Sequence, residues 1–329
     1  MKGFPSLLRH PLLQLLLLVL LMAGGAALAM LEVVLLMRPV FGVKLDQLAV
    51  VSQNPGAFPA GWGFLMFYQA TVMLGALAGA ALVLARLSGQ SVRAYFSPRR
   101  LGAGWWLLGA AALIVCVLPF MSGLVSWNAG AHFPAALHGF ETWAHAKEDQ
   151  AAVLTKYLTQ FSSAGRFLVG LLVIALVPAV AEELVFRGVI QQNLIRLFGS
   201  VHAGVWLGAA IFSAIHFQFF GFVPRFVLGL VLGYLYAWSG NILVSMAAHF
   251  TQNALQLVLL YLAQRGAFGW GFDPDSTDAL PWPLVIVSAV GTAALLWFLH
   301  QRMAPAGPRL MRTVSSRGVV AGPGALPAQ

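Results

Sequence analysis

The chain has 329 residues, of which 60% are hydrophobic and only 9% are charged, and its mean hydropathy is +0.82. Soluble domains carry about 25% charged residues, so this composition excludes a soluble globular protein and indicates a polytopic membrane protein. The net charge of +9 does not indicate a nucleic-acid partner, because the basic residues lie mostly between apolar runs, where they set the orientation in the bilayer.

Apolar runs long enough to cross a bilayer, which requires about 20 residues, occur at about eight places. In chain order they cover residues 11–37, 62–85, 103–127, 166–198, 201–219, 224–238, 241–263 and 281–300, and the sixth is the short one. We therefore predict an all-α polytopic membrane protein with about eight transmembrane helices.

The N-terminus has two interpretations. The segment MKGFPSLLRH and the apolar run after it, with an A-x-A sequence that ends at Ala29, are typical of a signal peptide. The apolar run continues through LEVVLLM, however, which favours an uncleaved first span. The orientation of the later spans is the same in both cases.

The distribution of basic residues predicts the orientation in the membrane. With the N-terminus in the cytoplasm, the cytoplasmic segments hold 11 of the 19 Lys and Arg residues and no acidic residue. The outer segments hold seven basic residues together with seven acidic residues. We predict an integral protein of the inner cell membrane whose N- and C-termini are both cytoplasmic.

The outer segment 129–165 contains an apolar stripe at helical spacing, formed by Leu154, Tyr157, Leu158 and Phe161. Such a stripe is typical of an amphipathic helix that lies on the bilayer or leads into the fourth span. A helix packed against the rest of the protein explains the stripe equally well.

Ionisable residues within apolar spans are costly and indicate a functional site. The candidates here are Glu32, Glu182, Glu183, Arg187, His216 and His249. Glu183 and Arg187 are four residues apart, so they share a helix face and can form an ion pair. Glu182 points about 100° away from Glu183 and needs a partner from another helix.

The fourth and fifth spans form a predicted hairpin that turns near Gly199. Glu182 lies 17 residues before this glycine and His216 lies 17 residues after it, so both side chains reach a similar depth. Phe212 lies one turn from His216 on the same face. Pro178 removes a helix hydrogen bond shortly before Glu182, which predicts a kink that admits water.

The seventh span adds His249 and Asn253, which are four residues apart on one face. A carboxylate and a histidine, here Glu182 and His216, can hold and deprotonate a water molecule. A second histidine with an amide can donate hydrogen bonds to a developing oxyanion. The set therefore predicts a hydrolytic site for a carbonyl compound.

Other interpretations of the polar residues remain open. They include polar pairs that only hold helices together, a proton-coupled transporter, and a non-catalytic scaffold or immunity protein. A serine hydrolase is disfavoured, because neither of the two serine–histidine pairs, Ser213 with His216 and Ser245 with His249, lies in a G-x-S-x-G-like turn.

Three motifs resemble those of a known family. The segment EELVFR matches E-E-x-x-x-R, FSAIH matches F-x-x-x-H, and HFTQN matches H-x-x-x-N. Their order and separation resemble the CPBP family of intramembrane proteases, which includes the type II CAAX prenyl endopeptidases and the bacteriocin-processing Abi proteins. The resemblance covers residues 166–262.

The resemblance implies an eight-helix intramembrane endopeptidase whose site opens toward the cytoplasm. It implies Glu182 and His216 as the residues that activate water, and His249 and Asn253 as the oxyanion site. Glu183, Arg187 and Phe212 are the predicted supporting residues. The expected partners are membrane lipid and a peptide or protein substrate, and no nucleic acid. The resemblance leaves open whether that substrate carries a lipid.

The sequence leaves the cofactor open. Zinc is the candidate metal, with Glu182, His216 and His249 as its three ligands. Asn253 is a poor zinc ligand, and neither histidine has an obvious acidic partner if Arg187 occupies Glu183. These two observations favour a metal-free glutamate–histidine mechanism.

The predicted organisation has three parts. Residues 1–165 form the N-terminal transmembrane helices and the outer amphipathic segment. Residues 166–302 form the CPBP-like catalytic helix core, and residues 303–329, which are rich in Pro, Gly, Ser and Arg, form a disordered cytoplasmic tail.

Overall fold

The computed structural model describes residues 10–267 and 276–304, and within these ranges every regular element is a helix. The helices are α1 (Pro11–Phe41), α2 (Leu48–Gln53), α3 (Gly61–Leu87), α4 (Val92–Phe96), α5 (Trp105–Ala129), α6 (His138–Leu158), α7 (Ala164–Phe198), α8 (Val201–Ala214), α9 (Phe222–Ser239), α10 (Ile242–Gln264) and α11 (Trp282–Met303). Seven of them, all except α2, α4, α6 and α8, are long and apolar enough to cross a membrane, and α8 is a shorter apolar helix. The predicted all-α polytopic membrane protein is confirmed.

The fifth span is shorter than predicted, and the sixth is longer. The prediction placed residues 201–219 in one helix, but α8 ends at Ala214, and a turn of residues 215–221 leads to the 18 residues of α9. Two side chains bond to backbone carbonyls there. His216 bonds through Nδ1 to the carbonyl of Phe212 at 2.7 Å, and the hydroxyl of Ser213 donates to the carbonyl of Phe222 at 2.7 Å.

The predicted outer helix is α6, and its apolar stripe packs on protein. Leu158 is buried in a cluster with Trp62, and Leu154 and Tyr157 pack against that cluster. The indole of Trp62 also donates to the carbonyl of Leu158 at 2.9 Å. Of the two predicted environments for the stripe, the structure therefore has the packed one.

The helix bundle has two ends. The Gly199 end contains the segment 88–104, the α7–α8 turn at Gly199 and the α9–α10 turn at Gly240. Both glycines have a positive φ, +63° and +60°, which closes each tight turn without Cβ strain. The His216 end contains the segments 42–60, 130–163 and 215–221.

Arg99 ties three chain segments together at the Gly199 end. Its Nη1 donates to the carbonyls of Trp238 at 2.6 Å and of Met303 at 2.8 Å, which lie at the ends of α9 and α11. Its backbone N–H donates to the carbonyl of Gly240 at 3.1 Å. The sequence analysis assigned this arginine only an orienting charge, whereas the fold also uses it to satisfy helix-end carbonyls.

Two apolar clusters hold the bundle together. One joins α1, α3, α4, α7, α8, α9 and α10 and includes Leu18, Leu84 and Val185. The other joins α5, α9, α10 and α11 and includes Leu113 and Leu232. Helices from both predicted transmembrane parts thus contribute to these clusters. The division of the chain at residue 165 stays a prediction. Residues 305–329 of the predicted tail lie outside the described residues.

Helix α7 is 35 residues long and is not uniformly α-helical. Its ordinary α segment, Val177–Val185, lies between two wider π-helical turns, Leu171–Leu176 and Phe186–Gln191. The first π turn ends just before Pro178, where the ring needs room because it would clash with the carbonyl four residues earlier. The adjacent glutamates follow in the α segment.

Candidate active site

The site is built on α7, where Glu183 and Arg187 form a buried ion pair. Arg187 Nη1 lies 2.9 Å from Glu183 Oε1, and the two side chains are 2% and 0% exposed. The spacing of four residues places both on one helix face, as predicted. The pair offsets much of the cost of burying each charge alone.

His249 on α10 connects the two glutamates. Its Nδ1 lies 2.9 Å from Glu183 Oε1, and its Nε2 lies 3.8 Å from Glu182 Oε2. A carboxylate that is ion-paired with Arg187 accepts hydrogen bonds, so Nδ1 carries the proton and Nε2 faces Glu182. The partner that Glu182 required from another helix is therefore His249.

This contact corrects one step of the sequence analysis. The proton on His249 was expected to lack an acidic acceptor, on the ground that Arg187 occupies Glu183. That expectation is wrong, because one oxygen of Glu183 contacts both the guanidinium and the imidazole. Spacing along one helix shows the partner within that helix and cannot show a second partner from α10.

His216 lies in the turn after α8, not inside a span. Its Nδ1 lies 2.7 Å from the carbonyl of Phe212, which can only accept, so Nδ1 carries the proton and Nε2 is free to accept. Burial and the nearby positive charge of Arg225 lower the pKa of His216 to about 4, against a partial opposing effect of the Phe212 carbonyl. The imidazole is consequently neutral at neutral pH.

Phe212 is central to the site. Its ring lies edge-on to both histidine rings, with centroid distances of 5.2 Å to His216 and 6.0 Å to His249. The guanidinium of Arg187 lies 4.6 Å from the centroid of the same ring. Phe212 therefore holds three polar groups around one apolar surface and keeps their spacing.

Helix α9 contributes backbone groups that the sequence analysis missed. The carbonyls of Gly229 and Gly233 accept from Arg187 Nη2 at 3.3 Å and from Gln191 Nε2 at 3.0 Å. A Cβ at Gly229 would lie 2.9 Å from the Cβ of Ala209, so α9 can approach this closely only without a side chain there. No charged or catalytic residue type marks such a contribution, although glycines four apart in an apolar span indicate close helix packing.

Two predicted residues are less closely tied to the others. Asn253 lies one helical turn after His249, is half-buried, and forms no hydrogen bond within the described parts of the chain. Glu32 is exposed on α1 and contacts none of these residues. The structure thus joins Glu182, Glu183, Arg187 and His249 directly, and joins His216 to them through Phe212.

The predicted zinc ligands do not form a complete set. Nε2 of His249 faces Glu182, and each histidine has its Nδ1 proton held, which suits a metal ligand. However, residues 10–267 and 276–304 contain no group of three His, Cys, Asp or Glu side chains arranged to hold a metal ion. We therefore derive no step through a metal, and the cofactor stays a prediction.

One segment of the chain is similar to a known protein family. Residues 164–255 match the family model described as Type II CAAX prenyl endopeptidase Rce1-like. This segment is an Rce1-like domain. It spans α7 to α10 and contains every residue of the candidate site, so the family recognised from three short motifs is confirmed.

The Rce1-like domain covers under a third of the chain. A similar protein of Bacillus subtilis (strain 168), named Uncharacterized protein YpbD, is 36% identical over 86 residues, which is 25% of this chain and 41% of that protein. The chain thus matches less than half of the length of this relative. No solved structure matches the chain.

Two expectations about the side on which the site opens are in conflict. His216 lies in the 215–221 turn, so the site lies toward the His216 end of the bundle. The charge distribution predicts that the opposite end, at Gly199, faces the cytoplasm. The resemblance implied a cytoplasmic opening, and both statements cannot hold for one orientation.

Proposed function

We propose that this protein is an intramembrane endopeptidase of the CAAX type that hydrolyses peptide bonds with an activated water. One observation carries the proposal: Glu182 lies 7% exposed, beside the Nε2 of a histidine whose other nitrogen is held by Glu183. A buried carboxylate next to an oriented imidazole, inside an Rce1-like domain, is well suited to water activation.

Glu182 and His216 are the proposed water-activating residues. Glu182 accepts a proton from the water, and the free Nε2 of His216 accepts the water's second hydrogen bond and orients it. The resulting hydroxide attacks the scissile carbonyl carbon and forms a tetrahedral oxyanion. Glu182 then returns its proton to the leaving amine as the C–N bond breaks, so that water and a peptide give an acid and an amine.

His249 and Asn253 are the proposed oxyanion donors. His249 already donates from Nδ1 to Glu183, so it must carry a second proton on Nε2 to donate to the oxyanion. Glu182 and Glu183 flank the ring and offset that positive charge. The side-chain amide of Asn253, one turn along α10, supplies the second donor.

The proposed substrate is a peptide or protein that carries a lipid, presented from the bilayer. The family that residues 164–255 match is described as a prenyl endopeptidase, and a prenylated cysteine places the peptide at the membrane surface. We propose that both termini of the protein are cytoplasmic, which places the opening of the site on the outer side.

The test is hydrolysis of a quenched-fluorescent, S-farnesylated peptide by the full chain in proteoliposomes. Glu182→Gln should reduce turnover by about 10³-fold or more and leave the thermal unfolding curve in place. Glu32→Gln, which changes an exposed glutamate on α1, is the matched control and should retain activity. Turnover by a folded Glu182→Gln protein at the wild-type rate would remove Glu182 from the mechanism.

A further inference from the structure

A second basic residue lies beside the site and has no role in the proposed hydrolysis. Arg225 is half-buried in the first turn of α9. One of its terminal nitrogens, Nη2, donates to Gln218 Oε1. The other, Nη1, is buried and has no hydrogen-bond partner within the described part of the chain.

The register of α7 and α9 places Arg225 level with the glutamates. Gln191 of α7 bonds to the carbonyl of Gly233 of α9. Four residues earlier on both helices, Arg187 of α7 bonds to the carbonyl of Gly229 of α9. The two helices therefore run parallel and in step, and one further turn brings Arg225 opposite Glu183. The electrostatic influence of Arg225 on Glu182 and His216 agrees with this position.

The local fold does not neutralise this guanidinium at close range. Among the described residues, Arg225 forms no ion pair within 4.0 Å. The nearby carboxylate of Glu148 instead accepts a hydrogen bond from the backbone N–H of Phe220 at 2.8 Å. A cation in the first turn of a helix is also disfavoured by the helix dipole. A buried N–H donor without a hydrogen-bond partner among the described residues can donate to a bound ligand, which offsets the cost of leaving it unpaired.

The turn holds the guanidinium in a defined position. Gln218 accepts from Nη2, and the guanidinium lies against Gly221, where an added Cβ would lie 3.4 Å from Nη2. Nη1 is thereby left available while Nη2 is fixed. An arginine held in this way suits a carboxylate, because the planar group can donate two parallel hydrogen bonds.

We propose that Arg225 binds the free C-terminal α-carboxylate of the substrate. This inference rests on the proposed function and names the end of the peptide that the site recognises. A C-a-a-X sequence is C-terminal, so its carboxylate lies only a few residues from the modified cysteine. Three extended residues span about 10 Å, a length that can join an oxyanion site at His249 to an anion site near the 215–221 turn.

The first experiment measures binding, so it does not depend on hydrolysis. The Glu182→Gln protein in nanodiscs is titrated with one fluorescent, S-farnesylated peptide ending in Cys-Val-Leu-Met, prepared as the free acid and as the C-terminal amide. We expect the amide to bind roughly 10–100-fold more weakly, as is typical for loss of a charged hydrogen bond. Equal affinity of the two forms, or binding of neither, overturns the proposal.

Variants then identify the responsible residue. Adding Arg225→Gln should abolish the preference for the acid and leave the affinity for the amide unchanged. Arg225→Lys should keep part of the preference, because lysine keeps the charge but loses the planar geometry. Arg265→Gln is the matched control, since Arg265 is an exposed arginine at the end of α10 and should keep the full preference. A preference that survives Arg225→Gln assigns the carboxylate to another residue.

Hydrolysis by the wild-type protein separates this inference from the proposed function. A higher kcat/KM for the acid than for the amide, lost in Arg225→Gln, supports both. Equal kcat/KM for acid and amide refutes the role of Arg225 while the peptidase assignment stands. Acid-selective binding without cleavage of either peptide refutes the peptidase assignment alone.

Discussion

Glu183→Gln is the substitution whose effects the structure defines best, because one carboxylate oxygen contacts both Arg187 and His249 at 2.9 Å. The substitution keeps the shape and removes the charge, which leaves Arg187, only 2% exposed, without its counter-ion. Breaking a buried ion pair in this way costs about 3–5 kcal/mol. At about 2–4 °C per kcal/mol, the apparent Tm should fall by at least about 6 °C.

A double variant separates stability from catalysis. Glu183→Gln with Arg187→Met removes both charges and keeps an apolar side chain of similar length, so it should recover much of the lost Tm. It does not restore the carboxylate acceptor of His249 Nδ1, so turnover should stay at least about tenfold below wild type because the imidazole is no longer held in one tautomer.

The assay combines intrinsic tryptophan fluorescence during heating in detergent with peptide turnover in proteoliposomes. Glu32→Gln is the control for loss of one carboxylate and should change neither measurement. A single Glu183→Gln variant that unfolds within about 1 °C of the wild type would refute the stabilising role of the ion pair. Full turnover by the stable double variant would contradict the positioning of His249 by Glu183.

Three further predictions test other parts of the structure. Arg99→Ala should destabilise the protein by about 2–3 kcal/mol, since it removes two charged hydrogen bonds to helix-end carbonyls, whereas Arg100→Ala, at an exposed neighbour, should melt like the wild type. In a Cys116→Ser background, Gln150→Cys at the His216 end should react with an impermeant thiol reagent in intact cells, and Gln90→Cys at the Gly199 end should react only after lysis. The reverse pattern would place the opening of the site on the cytoplasmic side. Exhaustive chelation should leave turnover unchanged and elemental analysis should find no stoichiometric metal, while activity lost to the chelator and restored specifically by zinc would require a metal mechanism.

The sequence by itself determined the class of protein, the positions of the seven long helices that the structure describes, and the family that residues 164–255 match. Apolar length and the rarity of charges are sufficient for the first two, since a bilayer requires about 20 apolar residues for each crossing. The Glu183–Arg187 contact was also predictable, because a spacing of four residues places both side chains on one face of the helix within reach of each other. The family followed from three motifs in one order.

The positions where side chains end local structure were not predictable from periodicity. The run 201–219 is mostly apolar, yet α8 ends at Ala214, and just beyond this end the His216 Nδ1 bonds to the helix carbonyl of Phe212. Hydropathy describes the solvent that a segment prefers and carries no information about which side chain competes for a hydrogen bond. His216 therefore lies in a turn, where the sequence analysis had placed it within a span.

Only the tertiary structure decided which groups from different helices meet. It placed His249 between Glu182 and Glu183 and brought the carbonyl of Gly229 to Arg187. It also buried Arg225 Nη1 without a hydrogen-bond partner among the described residues. Within one helix the geometry follows from a spacing along the chain. Between helices, the contacts depend on the rotation of each helix, its depth in the membrane and how closely the helices approach. Packing among α7, α9 and α10 sets these quantities, so no single segment of the sequence predicts them.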